Sequence, residues 1–182
     1  MTIIEQLNTE MMEVKDFLLK SSQLSLVSNV EKNLTKLYAL SMASYFEKEI
    51  QTILIEYISR ISNNSSHIES FVRKKAISMQ YHTFFVWGEK DQIDKPGKNA
   101  NAFFSLFGED IKNTIESDIK NNKDLDESVK AFLEIGHIRN ILVHSNFAAY
   151  NFDSKTTQEL FTLFCKAEIF ITYTRNKFRL IT

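Results

Sequence analysis

The stretch Gly136-His137-Ile138-Arg139-Asn140-Ile141-Leu142-Val143-His144-Ser145-Asn146 is polar where the sequence around it is apolar. It closes a pattern opened by Asp124-Leu-Asp-Glu127, in which Val129, Phe132, Leu133 and Ile141 recur at helical spacing. Successive helical residues turn by roughly 100°, so Asn140 and His144 share a face and His137 extends that stripe one turn back. Arg139 starts ~140° round from His144, but its long stem can swing the guanidinium toward the same groove. Gly136 lets another backbone approach closely. A fixed cation beside an imidazole suits a phosphate ester, so the segment reads as helix and site at once.

Outward from this segment the helical signal continues. Thr2-Ile-Ile-Glu5 is a capping box opening a helix to about Ser21, with Leu7, Met11, Val14, Phe17 and Leu18 as its apolar stripe. Ser28-Asn-Val-Glu31 is a second box. It predicts a helix from about Asn29 to Ile61, along which Leu34, Leu37, Tyr38, Ile50, Leu54, Tyr57 and Ile58 repeat. Asn63-Asn64-Ser65 ends that helix, and Ser66-His-Ile-Glu69 opens a third carrying Phe71, Ala76 and Met79. A polar helix is expected from Glu109 to about Asn122. Asp153 or Ser154 should cap the last helix, which packs through Leu160, Phe161, Phe164, Ala167, Phe170, Ile171 and Phe178.

The 182 residues include one proline and four glycines, too few for the tight turns of an all-β or α/β chain. The expectation is an all-α, up-and-down bundle of long helices, with residues 1–182 as one domain. Between Tyr81 and Gly108 the helical period is lost, and Phe84, Phe85, Trp87, Phe103, Phe104 and Phe107 cluster around the only proline, Pro96. So aromatic an insert argues against disorder. Its aromatics either pin a long loop to the bundle or form a stacking platform for a base, with Lys90, Lys95 and Lys98 at hand for phosphate.

Composition narrows function. The net charge is −1, so nucleic-acid binding would need a local basic patch, such as Arg73-Lys74-Lys75 or Arg175/Lys177/Arg179. Each of those clusters also reads as a solvated face. No apolar run approaches the ~18 residues of a membrane span, and the N-terminus lacks a basic-then-apolar leader, which predicts a cytoplasmic protein. The lone Cys165 excludes an intrachain disulfide, and its place in the apolar pattern of the last helix reads as core. His137 and His144 have no carboxylate at ligand spacing, so neither a metal nor another cofactor is expected. A second arginine–histidine pair, Arg60 and His67, straddles a helix end and is followed by apolar Ile61; it is set aside.

With Arg139-Asn140 followed by three residues and His144, then one long closing helix, the chain resembles the HEPN superfamily (higher eukaryotes and prokaryotes nucleotide-binding domain). Within it the nearest likeness is the bacterial RiboL-PSP-HEPN type. Ser44-Tyr45-Phe46-Glu47 and Leu106-Phe107-Gly108 add to the likeness. The resemblance implies a helical bundle that dimerises through its motif helices. It also implies a metal-independent endoribonuclease, a toxin or antiviral-defence effector with an antitoxin or defence-system partner. The alternative it implies is an inactive module that binds a nucleotide, RNA or a partner protein through the same cleft. In members partnered with minimal nucleotidyltransferases a tyrosine stands two residues after the histidine. Here that position is Asn146 and the nearest tyrosine is Tyr150, a departure from that arrangement.

The chemistry fits these residues. Cutting RNA without metal needs a group to take the 2′-hydroxyl proton, a group to protonate the leaving 5′-oxygen and a cation for the phosphorane. An imidazole can do either proton transfer, which suggests His144. Arg139 suits the non-bridging oxygens. Asn140 can orient the imidazole or bind a phosphate oxygen, and Ser145 is an accessory. His137 either lines the cleft or packs at an interface. Glu47 either pairs with Arg139 across the bundle or sits on a solvated face.

Overall fold

The computed structural model describes residues 1–77, 80–90, 92–147, 150, 152 and 154–181. Its helices are α1 (Ile3–Lys20), α2 (Leu24–Ile61), α3 (Ser66–Val72), α4 (Asn101–Ser105), α5 (Glu109–Asn121), α6 (Lys123–His144) and α7 (Thr157–Leu180). A π-helical turn, Arg73–Ile77, continues α3, and a 3₁₀ turn spans Tyr81–Thr83. Among the described residues the only β pairing is an isolated bridge between Gly88 and Pro96. The all-α expectation holds.

The 38 residues of α2 span roughly 57 Å at 1.5 Å per residue, and this helix is the spine of the molecule. Tyr38, Met42, Phe46, Ile50 and Ile53 are buried along it at three- and four-residue spacing. Both α6 and α7 pack on α2 and on each other. α6 buries Phe132, Leu133, Ile135, Ile138 and Leu142, and α7 buries Leu160, Phe164, Ala167, Phe170, Ile171 and Phe178. The aromatic insert closes the core. Phe84, Phe85, Phe103 and Phe104 are all buried, with Phe85 stacked on Phe103 at 4.7 Å. Those four rings serve as pins; a base-stacking platform is not what they form.

Caps and edges account for most departures from the sequence pattern. The box at Thr2 and Glu5 forms as expected. α2, however, starts at Leu24, ahead of Ser28, with Gln23 as an N-cap that makes no side-chain bond. Packing explains the extension: Val27, Val30 and Leu34 line a groove against Met11 and Leu18 of α1. Asn63 and Asn64 end α2 with φ of 51° and 59°, a left-handed geometry asparagine tolerates. α6 is capped by Asn122, whose side chain accepts the Leu125 N–H at 3.1 Å, leaving Asp124 and Asp126 in the first turn to complement the helix dipole. α7 is capped by Thr156 in a box with Glu159, two residues past Ser154; Asp153 and Met79 lie outside the described residues. Phe17 and Phe71 are 68% and 67% exposed, since both helices have only one packed face. Val14 and Leu37 are exposed as well. Cys165 is also exposed, one residue off the buried stripe of Phe164 and Ala167.

Candidate active site

Two helices and one loop build a pocket around the motif. α2 contributes Ala43, Phe46 and Glu47; α6 contributes Phe132, Ile135, Gly136, Arg139 and Asn140; the insert contributes Tyr81, His82 and Trp87. Its enclosed volume is about 20 Å³, the space of roughly one ordered water. That fits a single phosphate oxygen or hydroxyl at the floor, with the rest of a substrate lying across the mouth.

Arg139 is half-buried in this wall. Its guanidinium Nη1 donates to Asn140 Oδ1 at 3.0 Å, and among the described residues it forms no ion pair. Three other arginines contrast with it. Arg73 holds Glu69 at 2.6 Å, Arg175 bonds Glu49 and Glu56, and Arg60 donates to the carbonyls of Phe178, Arg179 and Ile181. Glu47 shares the pocket with Arg139, and its Oε1 accepts a bond from Gln51 Nε2 at 3.1 Å. Tyr81, between them, has its ionisation pushed well up, chiefly by burial; Glu47 adds to the shift and Arg139 opposes it. The phenol is therefore a neutral hydroxyl at any physiological pH.

The loop wall is held by contacts that only small or flat groups permit. Trp87 lies directly on Gly136: a Cβ there would come within 2.1 Å of the Trp87 ring. The Trp87 indole N–H then donates to the His82 carbonyl at 2.9 Å, fixing the 3₁₀ turn against α6. Gly136 thus admits a ring of its own chain, where the sequence suggested a second backbone. His137, one residue on, is 2% exposed and donates from Nε2 to the Gln92 carbonyl at 2.7 Å. Gly88, at φ +148°, packs against the same imidazole and the Lys95 carbonyl. His137 therefore anchors the loop inside the protomer and does not line the pocket.

The structure groups Glu47, Arg139 and Asn140 and leaves His144 and Ser145 beyond the lining. His144 is the last, exposed residue of α6, and Ser145 caps the helix, its N–H donating to Ile141 O. The segment that follows is held by Lys36, 4% exposed, whose Nζ donates to Phe147 O at 3.0 Å and lies over the Phe147 ring. His82 is the pocket residue that sequence reading misses. It stands in an aromatic insert, and nothing local signals that its turn folds onto residue 139. Among the described residues no group of three His, Cys, Asp or Glu side chains is placed to hold a metal ion. In the candidate RNA-guiding cluster near the C-terminus, Arg175 and Lys177 are tied down, Lys177 pairing with Asp118 at 2.7 Å. Lys95 likewise pairs with Glu89 at 3.1 Å. No helix among the described residues is long and apolar enough to cross a membrane.

A family model described as RiboL-PSP-HEPN matches residues 5–179. No curated protein and no solved structure matches the chain.

Proposed function

The chain belongs to the RiboL-PSP-HEPN family, and from that membership we propose that it is a metal-independent endoribonuclease, a toxin or antiviral-defence effector acting on RNA. Family membership supports a nuclease-like or RNA-binding module in general terms. The observation that carries the sharper reading is Arg139: a half-buried guanidinium lining a pocket, whose one bond among the described residues is to a neutral partner. Its remaining donors suit the non-bridging oxygens of a phosphodiester, whose charge grows as the phosphorane forms. Asn140 fixes the fork, and His144, at the open end of the same helix, takes the 2′-hydroxyl proton. The strand then lies along α6 from the Arg139 pocket to the helix end. A two-fold pairing of motif helices through their exposed ends, around Val143 and His144, would join two such sites in one cleft.

Purified protein in EDTA should cleave RNA but not DNA, leaving 2′,3′-cyclic phosphate and 5′-hydroxyl ends. Arg139→Ala and His144→Ala should each abolish cutting with circular dichroism unchanged. Activity that requires an added divalent metal refutes the mechanism. The separation of His144 from the pocket favours one other reading, a non-catalytic module binding a nucleotide, RNA or a partner protein through the same cleft. Wild type inert on total RNA and on tRNA, yet retaining one of these ligands, selects it.

A further inference from the structure

We infer that His82 is a second catalytic imidazole, supplied by the aromatic insert of the same chain, that protonates the leaving 5′-oxygen of RNA. The inference rests on the ribonuclease reading above and assigns a residue outside the motif helix.

Three observations carry it. His82 lines the pocket that Arg139 and Asn140 line, whereas neither His137 nor His144 does. Its side chain is exposed, so the ring is open to a substrate lying across the mouth. Its backbone is clamped, because Trp87 binds the His82 carbonyl at 2.9 Å while resting on Gly136, one turn before Asn140. An exposed ring on a fixed backbone, sharing a pocket with an arginine that forms no ion pair among the described residues, is an arrangement suited to proton transfer at a phosphodiester. The charged and titratable groups around it are Glu47 from α2, Arg139 from α6 and Tyr81 on its own turn. Of these, Arg139 is placed to draw in the phosphate.

The step balances. The 2′-oxygen bonds to phosphorus and gives its proton to His144. The bond from phosphorus to the 5′-oxygen breaks, and the His82 imidazolium delivers a proton to that oxygen. The products are a 2′,3′-cyclic phosphate and a 5′-hydroxyl. Both imidazoles come from one chain, and no metal or co-reactant takes part.

The test uses an oligoribonucleotide whose scissile 5′-oxygen is replaced by sulfur, a leaving group that departs without a proton. His82→Ala and His82→Gln should each slow the all-oxygen substrate by ~10²–10³-fold and regain most of that rate on the sulfur substrate. His144→Ala should remain slow on both. His67→Ala, an exposed control that does not line the pocket, should match wild type, and melting curves should show both His82 variants folded. His82 variants as fast as wild type on the oxygen substrate, or slowed equally on both, overturn the role. Wild type inert on every RNA overturns the ribonuclease reading itself, and the role of His82 falls with it.

Discussion

Arg60 on α2 and Arg139 on α6 invite comparison, for each lies near the C-terminal end of a long core helix with a histidine following. Their surroundings differ in kind. Arg60 donates to the carbonyls of Phe178, Arg179 and Ile181 and lies over the Tyr57 ring, so it closes the C-terminus of α7 where unpaired carbonyls and the helix dipole favour a cation. Among the described residues Arg139 has one neutral bond, to its neighbour Asn140, and it lines a pocket. The lesson is about donors. A guanidinium whose forks are aimed at backbone oxygen is architecture, while one with donors left over beside a cavity is available to an anion.

The largest difference should appear in catalysis. Arg139→Ala should lower RNA cleavage by ~10³-fold, the scale of losing a charge that stabilises the transition state, with the melting temperature nearly unmoved. Arg60→Ala, assayed below its melting transition, should stay within ~3-fold of wild type, because it removes no group from the pocket. Arg139→Lys should also be poor, since a point charge cannot copy a two-pronged contact. Initial rates on one labelled RNA decide the matter; equal losses at both positions would erase the contrast.

Next comes Gly136→Ala. The new methyl would stand 2.1 Å from the Trp87 ring, far inside contact distance, so the ring must leave its seat. Overpacking of this kind costs ~1–3 kcal/mol, read as a drop in melting temperature of several degrees. Because Trp87 also holds the His82 carbonyl, cleavage should fall with it. A variant with unchanged melting and unchanged rate would mean that the loop wall does not shape the site.

Much of this contrast is legible from residues alone, and its limits have physical reasons. The helices of the bundle follow from apolar spacing, since Tyr38, Ile50 and Leu54 on α2 and Phe164, Ala167 and Ile171 on α7 are buried as their period requires. Arg139 and Asn140 could be found because they interrupt an apolar helix. Cap positions slipped by a few residues where tertiary packing, as at Val27, outweighs a local box. The role of Gly136 was misassigned because a glycine announces a close approach without saying what approaches. Whether His137 lines the cleft or packs at an interface stays open in the sequence, where the structure has it anchor a loop, and His82 carries no local signal, for the same reason. Contacts between α6 and the insert are long-range, and no local periodicity encodes which histidine the insert covers and which it presents.

Arg60→Ala tests the structural half of the comparison by itself. Three bonds to the end of α7 are lost, but the guanidinium is exposed and water can replace part of what is removed. The expected cost is about 1 kcal/mol, or ~2–4 °C in melting temperature for a chain of this size. Hydrogen exchange should quicken at the last turn of α7 and leave α6 unaffected. An unchanged melt would show that these bonds merely replace equivalent bonds to water.

The smallest effect concerns a carboxylate. Glu168 on α7 bonds Tyr45 through one oxygen at 3.5 Å, while its other oxygen is buried with no hydrogen-bond partner among the described residues. Burial pushes its carboxyl above the ordinary range; Glu49 and Glu5 push the same way, and Tyr45 and Arg175 only partly oppose them. The folded state therefore favours the protonated acid. A raised carboxyl contributes stability in full below its unfolded pKa and loses that contribution as pH rises through the folded value. Glu168→Gln keeps the shape without the charge, so it should melt higher than wild type near pH 7–8, by only ~1–2 °C given partial solvent access. The gap should close as pH falls toward ~4. Glu168 lines none of the pocket around Arg139, so cleavage rates at fixed pH should match wild type. If the variant instead gains stability equally at pH 4 and pH 8, the cause is packing and not the buried charge. If cleavage falls with it, an uncompensated charge outside the pocket also serves the reaction, and the distinction between Arg60 and Arg139 would have to rest on something other than the cavity.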